Sequence, residues 1–239
     1  MREIKVLTEG CKYFNIALEE VQIKQFLDYY ELLIDWNKVM NLTGIVDFDE
    51  VLQKHFVDSL ALVKGIDLGS GKKIMDIGTG AGFPGIPLKI AFPHLEIVLL
   101  DSLGKRVHFL QAVISRLGLK GITAIHGRAE DFARENGYRE QFDVCVSRAV
   151  ANLSSLSEYC LPYVKRGGYF VSYKSGVIEE ELNQAKKAIY LLGGERQEVL
   201  KFTLPGSDIE RSLVVIKKIE GTPKKYPRKA GLPGKEPIQ

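Results

Sequence analysis

The chain has few of the residues that build metal centres and disulfide frameworks. Its 239 residues include three cysteines, and these are far apart, with no Cys-x-x-Cys or Cys/His cluster near Cys11, Cys145 or Cys160. An odd number of dispersed thiols does not support a disulfide framework, and it offers no zinc-binding pattern. We therefore expect three buried thiols and no metal.

Long apolar runs are also missing. The longest, such as residues 97–100 and 213–216, have the length of a strand and are flanked by charged residues, whereas a membrane-spanning helix needs about 20 apolar residues. The amino terminus alternates charged and apolar residues and lacks the apolar core of a signal peptide. These absences predict a cytoplasmic protein without a transmembrane segment.

The net charge of +3 is unevenly distributed. Residues 1–70 carry 7 basic and 12 acidic side chains, whereas residues 221–239 carry 5 and 1, together with four prolines. That last segment has few large apolar groups, so we predict that it forms no core element. Two interpretations stay open for it, a solvated tail and a contact with nucleic acid.

Apolar residues recur at helical spacing in the first part of the chain. They predict one helix over residues 18–40 and a second over 50–64, which ends before Gly65 and the glycines at 69 and 71. The predicted organisation is a helical extension (1–70), a main domain (71–220) and a basic, proline-rich tail (221–239).

From residue 73 onwards, apolar runs of strand length alternate with helical segments, which is typical of a parallel α/β sheet. Seven strands are predicted, at residues 73–77, 96–101, 122–126, 142–147, 169–173, 197–203 and 212–219. Helix-length segments such as 105–117 separate the first five, but only residues 204–211 separate the last two. A connection that short fits a hairpin, so we predict a seven-stranded, mostly parallel sheet ending in one antiparallel strand.

The segment 74–85, Ile-Met-Asp-Ile-Gly-Thr-Gly-Ala-Gly-Phe-Pro-Gly, runs from the first strand through three alternating glycines into a helix. Such a turn brings the backbone close to a ligand. Residues 80–85 match the dinucleotide motif G-x-G-x-x-G, and Asp101 follows about 20 residues later. However, Asp76 precedes the first glycine, Gly78, and a carboxylate there repels a pyrophosphate but suits the cationic amino-acid end of S-adenosylmethionine.

This reasoning favours a methyl donor held by Asp76, Gly78, Gly80 and Gly82. Two other predicted strand ends lie at the same edge of the sheet, where ligands of open α/β sheets bind. We expect Asp101 to accept hydrogen bonds from both ribose hydroxyls and residues 127–130, Gly-Arg-Ala-Glu, to contact the adenine edge.

Residues 147–149, Ser-Arg-Ala, follow the fourth strand, and we expect them to face the position of methyl transfer. No Asn/Asp-Pro-Pro-Tyr/Phe segment follows that strand, which argues against methylation of an exocyclic base amine. Cys145 lies inside the strand, so it is badly placed to attack a pyrimidine ring.

Five segments together resemble the bacterial glucose-inhibited division protein B (RsmG) family. They are Trp36-Asn37 through Asn41-Leu42-Thr43, His55-Phe56-Val57-Asp58-Ser59, the glycine loop from Asp76 to Gly85, Ser147-Arg148-Ala149-Val150, and Pro223-Lys224-Lys225-Tyr226-Pro227-Arg228-Lys229. The resemblance covers nearly the whole chain. It implies a Rossmann-like class I methyltransferase that uses S-adenosylmethionine to methylate ring nitrogen 7 of a guanine in the 530 loop of 16S rRNA, free or in a 30S subunit precursor.

The resemblance also implies donor contacts at Gly78, Phe83, Ala129, Glu130 and Arg148. Guanine nitrogen 7 has an in-plane lone pair and no proton to lose, so its methylation needs alignment at about 3 Å and no general base. We expect Arg148 to orient the site. His55, Asp58 and Ser59 invite a catalytic triad, but we predict that they fix the extension to the sheet.

For RNA we expect contacts from Lys105 and Arg106 and from Lys224, Lys225, Tyr226, Arg228 and Lys229 of the tail, with Phe83 or Tyr226 stacking on an extruded base. Removing residues 222–239 should then weaken RNA binding and spare donor affinity. A monomer is expected. Two alternatives stay open: a methyltransferase acting on a protein or small molecule, and a non-catalytic RNA-binding module.

Overall fold

A single seven-stranded sheet organises the chain in the computed structural model, which describes residues 4–69, 71–148 and 150–239. The strands are β1 (Lys73–Ile77), β2 (Glu96–Asp101), β3 (Ile122–His126), β4 (Phe142–Arg148), β5 (Val164–Ser175), β6 (Gly194–Thr203) and β7 (Glu210–Lys218). Their order is β3-β2-β1-β4-β5-β7-β6. Strand β7 pairs antiparallel with both β5 and β6, and the other pairs are parallel. The predicted fold is confirmed, with the antiparallel last strand inserted between β5 and β6.

The strand bounds agree closely with the prediction except at β5 and β6, which begin earlier than expected. Strand β5 starts at Val164, which pairs with Phe142 of β4. The register shifts after this pair, and Gly167 and Gly168 lie in the part of β5 where it shifts. Glycines inside a strand and an irregular register remove the period-two pattern by which a strand is recognised. A second register shift, between β6 and β7, has the same effect at the start of β6.

Ten α-helices surround the sheet within the described ranges. They are α1 (Lys5–Tyr13), α2 (Glu20–Met40), α3 (Phe48–Val51), α4 (Asp58–Leu60), α5 (Gly85–Ala91), α6 (Gly104–Arg116), α7 (Ala129–Phe132), α8 (Leu153–Cys160), α9 (Glu179–Leu191) and α10 (Leu232–Lys235). A π-helical turn (Leu52–Val57) joins α3 to α4, and a 3-10 turn (Ala61–Lys64) follows α4. The second predicted helix is therefore continuous but irregular, and π turns are frequent at functional sites.

Apolar residues alternate along the strands and form a core on each face of the sheet. Ile74 and Val144 pack with residues of α2, α5 and α6, whereas Met75 and Cys145 pack with residues of α8 and α9. All three cysteines are buried free thiols, as predicted. Among the helices described, none is long and apolar enough to cross a bilayer.

The helical extension is bonded to the sheet domain by buried polar contacts as well as by apolar packing. Gln22 Nε2 donates to the carbonyl of Ile90 at 2.7 Å, and the hydroxyl of Tyr173 donates to the carbonyl of Ser59 at 2.8 Å. The hydroxyl of Tyr29 donates to the carbonyl of Ala81, inside the glycine loop. The extension and the main domain thus share one core, and the extension reaches the ligand-binding edge of the sheet.

The prediction that residues 221–239 form no core element is wrong. Tyr226 is 8% exposed and belongs to the apolar cluster on the α8–α9 face of the sheet. Arg228 forms an ion pair with the buried carboxylate of Glu158. Composition suggested an unpacked tail because the segment has few apolar groups, but a buried aromatic ring and several polar contacts dock it.

Candidate active site

The glycine loop connects β1 to α5 at the carboxyl edge of the sheet. Gly78 and Gly80 have φ values of +69° and +61°, a region that side chains rarely adopt. A Cβ added to Gly78 would lie 2.6 Å from Val150, whereas one added to Gly80 would meet no atom within 4 Å. Gly78 is therefore needed for close packing, and Gly80 borders open space where a ligand can approach the backbone.

Asp76 lies beneath this loop and is completely buried. Its Oδ2 accepts hydrogen bonds from Thr79 Oγ1 at 2.7 Å and from the amide of Gly85 at 2.9 Å, which holds the two ends of the loop together. Its Oδ1 is buried with no hydrogen-bond partner among the described residues. Desolvation by burial raises the pKa of Asp76 to about 7, although these hydrogen bonds and Arg148 oppose the shift.

Asp101, at the end of β2, also binds the loop. Its Oδ2 accepts from the amide of Gly80 at 2.9 Å, and its Oδ1 accepts from the amide of Leu103 at the same distance. Arg106 lies 3.5 Å from Oδ2. Both oxygens are thus engaged by protein groups in this structure.

One cavity, of about 170 Å³, lies where β1, β2 and β3 end. Its walls are formed by Ile77, Gly78, Leu100, Ser102, Gly127, Arg128, Ala129, Glu130, Val150, Tyr159 and Gly231. The Ala129 carbonyl accepts from the Tyr163 hydroxyl at 2.6 Å, and Glu130 Oε1 accepts from the amide of Gly231 at 2.6 Å. We call this the donor cavity.

A second and larger cavity, of about 470 Å³, lies on the other side of the glycine loop and shares Gly78 with the first. It is lined by Leu42, Ile45, Lys54, His55, Asp58, Gly78, Thr79, Gly80, Ala81, Phe83, Arg106, Arg148, Tyr173, Lys174, Ser175 and Arg211. Five of these side chains are cationic and one is acidic. We call this the target cavity, and its charge suits a polyanion.

The acidic residue of the target cavity, Asp58, binds two of its arginines. Its Oδ2 lies 3.0 Å from Arg148 Nη1, at the end of β4, and its Oδ1 lies 3.0 Å from Arg211 Nε, at the start of β7. The guanidinium of Arg148 also donates to the carbonyl of Lys54 at 3.3 Å. This arrangement confirms that the Asp58 segment fixes the extension to the sheet, and it fixes the direction of Arg148.

Phe83 and His55 form the wall between the loop and the extension. Their rings are stacked with centroids 4.5 Å apart, and the Arg148 guanidinium lies 5.0 Å from the Phe83 centroid. Burial, reinforced by the charge of Arg148, lowers the pKa of His55 to about 3. His55 Nε2 lies 2.8 Å from Thr43 Oγ1, and Nδ1 is buried without a partner in the described part of the chain. His55 is therefore neutral at physiological pH.

These features fit S-adenosylmethionine. The donor carries a cationic amino-acid end, and Asp76 presents an unpaired buried carboxylate oxygen under the loop. The open backbone at Gly80 leaves room for a ligand against the loop. No group of three or more metal-binding side chains was found in the described residues.

Comparison with known proteins identifies the family. Residues 22–214 match the family model of GidB, rRNA small subunit methyltransferase G. A protein of that name from Lachnoclostridium phytofermentans is 53% identical over 238 residues, covering 100% of this chain and 98% of the other, and one from Clostridium botulinum is 46% identical over the full length of both. This chain belongs to the rRNA small subunit methyltransferase G family. It is a methyltransferase, and its methyl donor is S-adenosylmethionine.

Solved structures agree on the fold of this family member. An S-adenosylmethionine-dependent methyltransferase from Aquifex aeolicus superposes with a TM-score of 0.54 at 16% identity, covering 74% of this chain and 96% of that one. A precorrin-6y C5,15-methyltransferase from Geobacter metallireducens gives a TM-score of 0.52, also at 16% identity, covering 68% of this chain and 86% of that one. The sheet is thus that of the Rossmann-like methyltransferases.

In this member of the rRNA small subunit methyltransferase G family, most of the predicted donor residues lie together around the two cavities. Ala129 and Glu130 line the donor cavity, Gly80, Phe83 and Arg148 line the target cavity, and Gly78 lines both. Ala149 lies outside the described residues.

Asp76 and Asp101 lie behind the loop and line neither cavity, and Gly82 packs against Ile86 and Tyr29. The donor contact from Asp76, directly or through water, stays a prediction; in this structure its Oδ2 supports the loop and its Oδ1 is unpaired among the described residues. The acceptance of hydrogen bonds from the ribose hydroxyls by Asp101 stays a prediction; in this structure its oxygens accept from the amides of Gly80 and Leu103.

The predicted RNA contacts divide into two groups. Arg106 lines the target cavity, and Lys105, Lys224, Lys225 and Lys229 are exposed but line neither cavity. Tyr226 is buried and lines neither cavity, whereas Phe83 is buried but lines the target cavity, and the stacking of either ring on a base stays a prediction. Arg228 is held by Glu158.

The residues of the two cavities that were not predicted from the sequence include Lys54, Tyr159, Lys174, Arg211 and Gly231. The sequence does contain a signal for two of them, because Lys174 directly follows the predicted fifth strand and Arg211 directly precedes the predicted seventh strand. An antiparallel strand presents its first residue at the edge where parallel strands present their last. The other three reach the cavities through tertiary packing.

Proposed function

We propose that the chain transfers a methyl group from S-adenosylmethionine to ring nitrogen 7 of a guanine in 16S rRNA, free or within a precursor of the 30S subunit. The observation that carries the proposal is the pair of cavities that meet at Gly78, one neutral enough for a nucleoside and one lined by five cations. The related proteins are named as methyltransferases of small-subunit rRNA. We further propose that the protein acts as a monomer in the cytoplasm.

The charge of the target cavity supports an RNA substrate. Lys54, Arg106 and Lys174 line it with part of each side chain exposed, so they are able to bind phosphates flanking an extruded base. The exposed Lys105, Lys224, Lys225 and Lys229 extend the same positive potential outward. Small apolar substrates would gain little from this arrangement.

The ionisable groups of the target cavity support methylation of an atom that already has a lone pair. The His55 ring is neutral and stacked, and the one hydrogen bond described for the ring joins its Nε2 to Thr43 Oγ1. Asp58 is bound to two guanidinium groups, and Lys174 to Glu181. Among the described residues, these groups of the target cavity are therefore ion-paired or held neutral, and guanine nitrogen 7 has no proton to lose.

S-adenosylmethionine, when bound, supplies a sulfonium methyl group that leaves as its carbon–sulfur bond breaks. The protein contributes position. Gly78 and Gly80 shape the loop, Ala129 and Glu130 form the adenosine wall, and Arg148 orients the target side. Such alignment is a sufficient source of rate when the nucleophile needs no activation.

The test uses ribosomal RNA and 30S subunits from cells lacking the protein, with labelled S-adenosylmethionine and nucleoside analysis of the product. We expect 7-methylguanine at one site in 16S rRNA. Gly78→Asp should abolish donor binding in calorimetry, because the added side chain meets Val150. Label found only in protein or metabolites would refute the substrate, and donor binding without turnover on any RNA would indicate a binding module.

A matched pair of charge variants tests the target cavity. Arg106→Gln removes a cavity cation, and Lys186→Gln removes an exposed lysine from α9. We expect Arg106→Gln to weaken RNA binding and to reduce its salt dependence by about one phosphate contact. Lys186→Gln should behave as wild type. Equal effects of the two variants would show that the cavity is not the RNA site.

A further inference from the structure

The segment that follows β7, residues 222–239, is held to the domain along its length. The guanidinium of Arg139 donates to the carbonyl of Thr222 at 2.7 Å and to that of Tyr226 at 3.0 Å. Arg134 donates to the carbonyl of Pro227. Two arginines on the connection between β3 and β4 thus fix the first part of this C-terminal segment.

A buried ion pair fixes the middle of the segment. Arg228 Nε and Nη2 lie 3.0 and 2.7 Å from Glu158 Oε2, and the Arg228 amide donates to Glu158 Oε1 at 2.6 Å. The side chain of Glu158, on α8, is 1% exposed. A carboxylate that deeply buried requires several partners, and Arg228 supplies them.

The last ten residues, 230–239, which we call the strap, cross α8 and reach the donor cavity. Ser155 Oγ donates to the carbonyl of Pro233 at 2.8 Å, and Ser154 Oγ donates to that of Ile238. On the cavity side, the amide of Gly231 donates to Glu130 Oε1 at 2.6 Å. The strap therefore links α8 to a residue of the donor cavity.

Gly231 is itself part of the cavity wall, together with Tyr159 and with Gly78 of the glycine loop. A Cβ added at Gly231 would meet no protein atom within 4 Å. Glu130 is 5% exposed, and its Oε1 is held by the strap. Its orientation toward the cavity thus depends on a backbone amide 101 residues further along the chain.

We propose that the strap is a structural part of the methyl-donor site: it closes the adenosine side of the cavity with Gly231 and positions the carboxylate of Glu130. The inference rests on the proposed placement of the donor in this cavity. It differs from the sequence-based expectation that removing residues 222–239 spares donor affinity. Glu130 and Gly231 are positioning residues for the donor.

The charges of the chain allow the two roles of the C-terminal segment to be separated. The strap contains one lysine and one glutamate, so removing residues 230–239 does not change the net charge. Residues 222–229 keep Lys224, Lys225, Arg228 and Lys229, and they keep Tyr226 in the core. A loss of donor affinity on this truncation therefore does not come from a change in net charge, and the phosphate-binding charge is intact.

The experiment measures the dissociation constant of S-adenosylmethionine by calorimetry for three variants: a chain ending at Lys229, the double variant Ser154→Ala/Ser155→Ala, and Ser157→Ala. We expect the truncation to raise the constant at least about tenfold and the double variant to raise it about fivefold. Ser157→Ala should bind as wild type, because its hydroxyl bonds to Leu153 within α8 and not to the strap.

Thermal unfolding reports whether each variant folds. If the truncated chain is unfolded, the donor affinity of the Ser154→Ala/Ser155→Ala variant tests the inference. Unchanged donor affinity in the folded variants, with Gly78→Asp still abolishing binding, would overturn the inference and leave the donor site in place. Retained binding by Gly78→Asp would instead refute the donor placement itself. Weakened RNA binding with normal donor affinity in the truncated chain would show the strap to be an RNA contact.

Discussion

Replacing Asp76 with asparagine tests how the protein supports its glycine loop. The wild-type carboxylate is fully buried, with one oxygen bonded to Thr79 and Gly85 and the other unpaired. Asparagine keeps an oxygen for the two donors and removes the ionisable group. The variant should therefore fold with the same loop but with a different dependence of stability on pH.

The pKa of Asp76 sets the size of the effect. The folded protein holds the proton up to a pKa of about 7, whereas the unfolded chain releases it near the ordinary value of 3.8. Between these values the folded state binds more protons, so the free energy of unfolding falls as pH rises, by about 1.4 kcal/mol per pH unit and about 4 kcal/mol in total. The penalty is complete above pH 7 and absent below 3.8.

Urea denaturation of the wild type and of Asp76→Asn, at a series of pH values from 4 to 8, measures how the stability of each depends on pH. The free energy of unfolding of Asp76→Asn minus that of wild type should increase by roughly 4 kcal/mol from the lowest to the highest pH. Other titrating groups cancel in the difference. A difference that is constant with pH would show that Asp76 is already ionised in the free protein, and the reasoning from burial would fail.

Two further variants test the wall of the target cavity. The pKa of His55 is lowered to about 3, so only the unfolded chain takes up a proton at this residue below about pH 6.5, and the stability of the wild type falls with falling pH. His55→Gln should remove this loss of stability in the same denaturation series. An unchanged pH profile would contradict the assignment. Asp58→Asn leaves Arg148 and Arg211 without their carboxylate, and we expect a loss of about 3 kcal/mol in the free energy of unfolding and a lower rate of methyl transfer at saturating donor. A fully active, equally stable Asp58→Asn protein would show that the ion pairs do not position Arg148.

The positions of the strands along the chain and most of their ends were predictable because they depend on local patterns. Apolar runs, glycine punctuation and the short connection between the last two strands are properties of neighbouring residues. The first three strands begin and end where the pattern places them. Strand β5 was underestimated because its bulge at Gly167 and Gly168 interrupts that pattern.

The composition of the site was only partly predictable, since it depends on pairs of residues far apart in the chain. The sequence indicated that Gly78, Ala129 and Glu130 belong to one cavity, because they follow parallel strands. It contains no comparable signal for the bond between Glu130 and Gly231, which are 101 positions apart, or for that between Asp58 and Arg211, which are 153 apart. Such contacts arise only when the segments pack.

Net charge was a poor guide to what the two ends of the chain do. The acidic extension contributes Asp58, whose carboxylate directs two arginines of the cationic target cavity. The basic C-terminal segment contributes an uncharged amide, at Gly231, to the donor cavity. In each case the influence on the site comes from one buried hydrogen-bonding group, because burial strengthens a polar contact that solvent would otherwise screen. The exposed charges of the same segments act at longer range, on the approach of RNA, and changing them should alter salt dependence without altering either cavity.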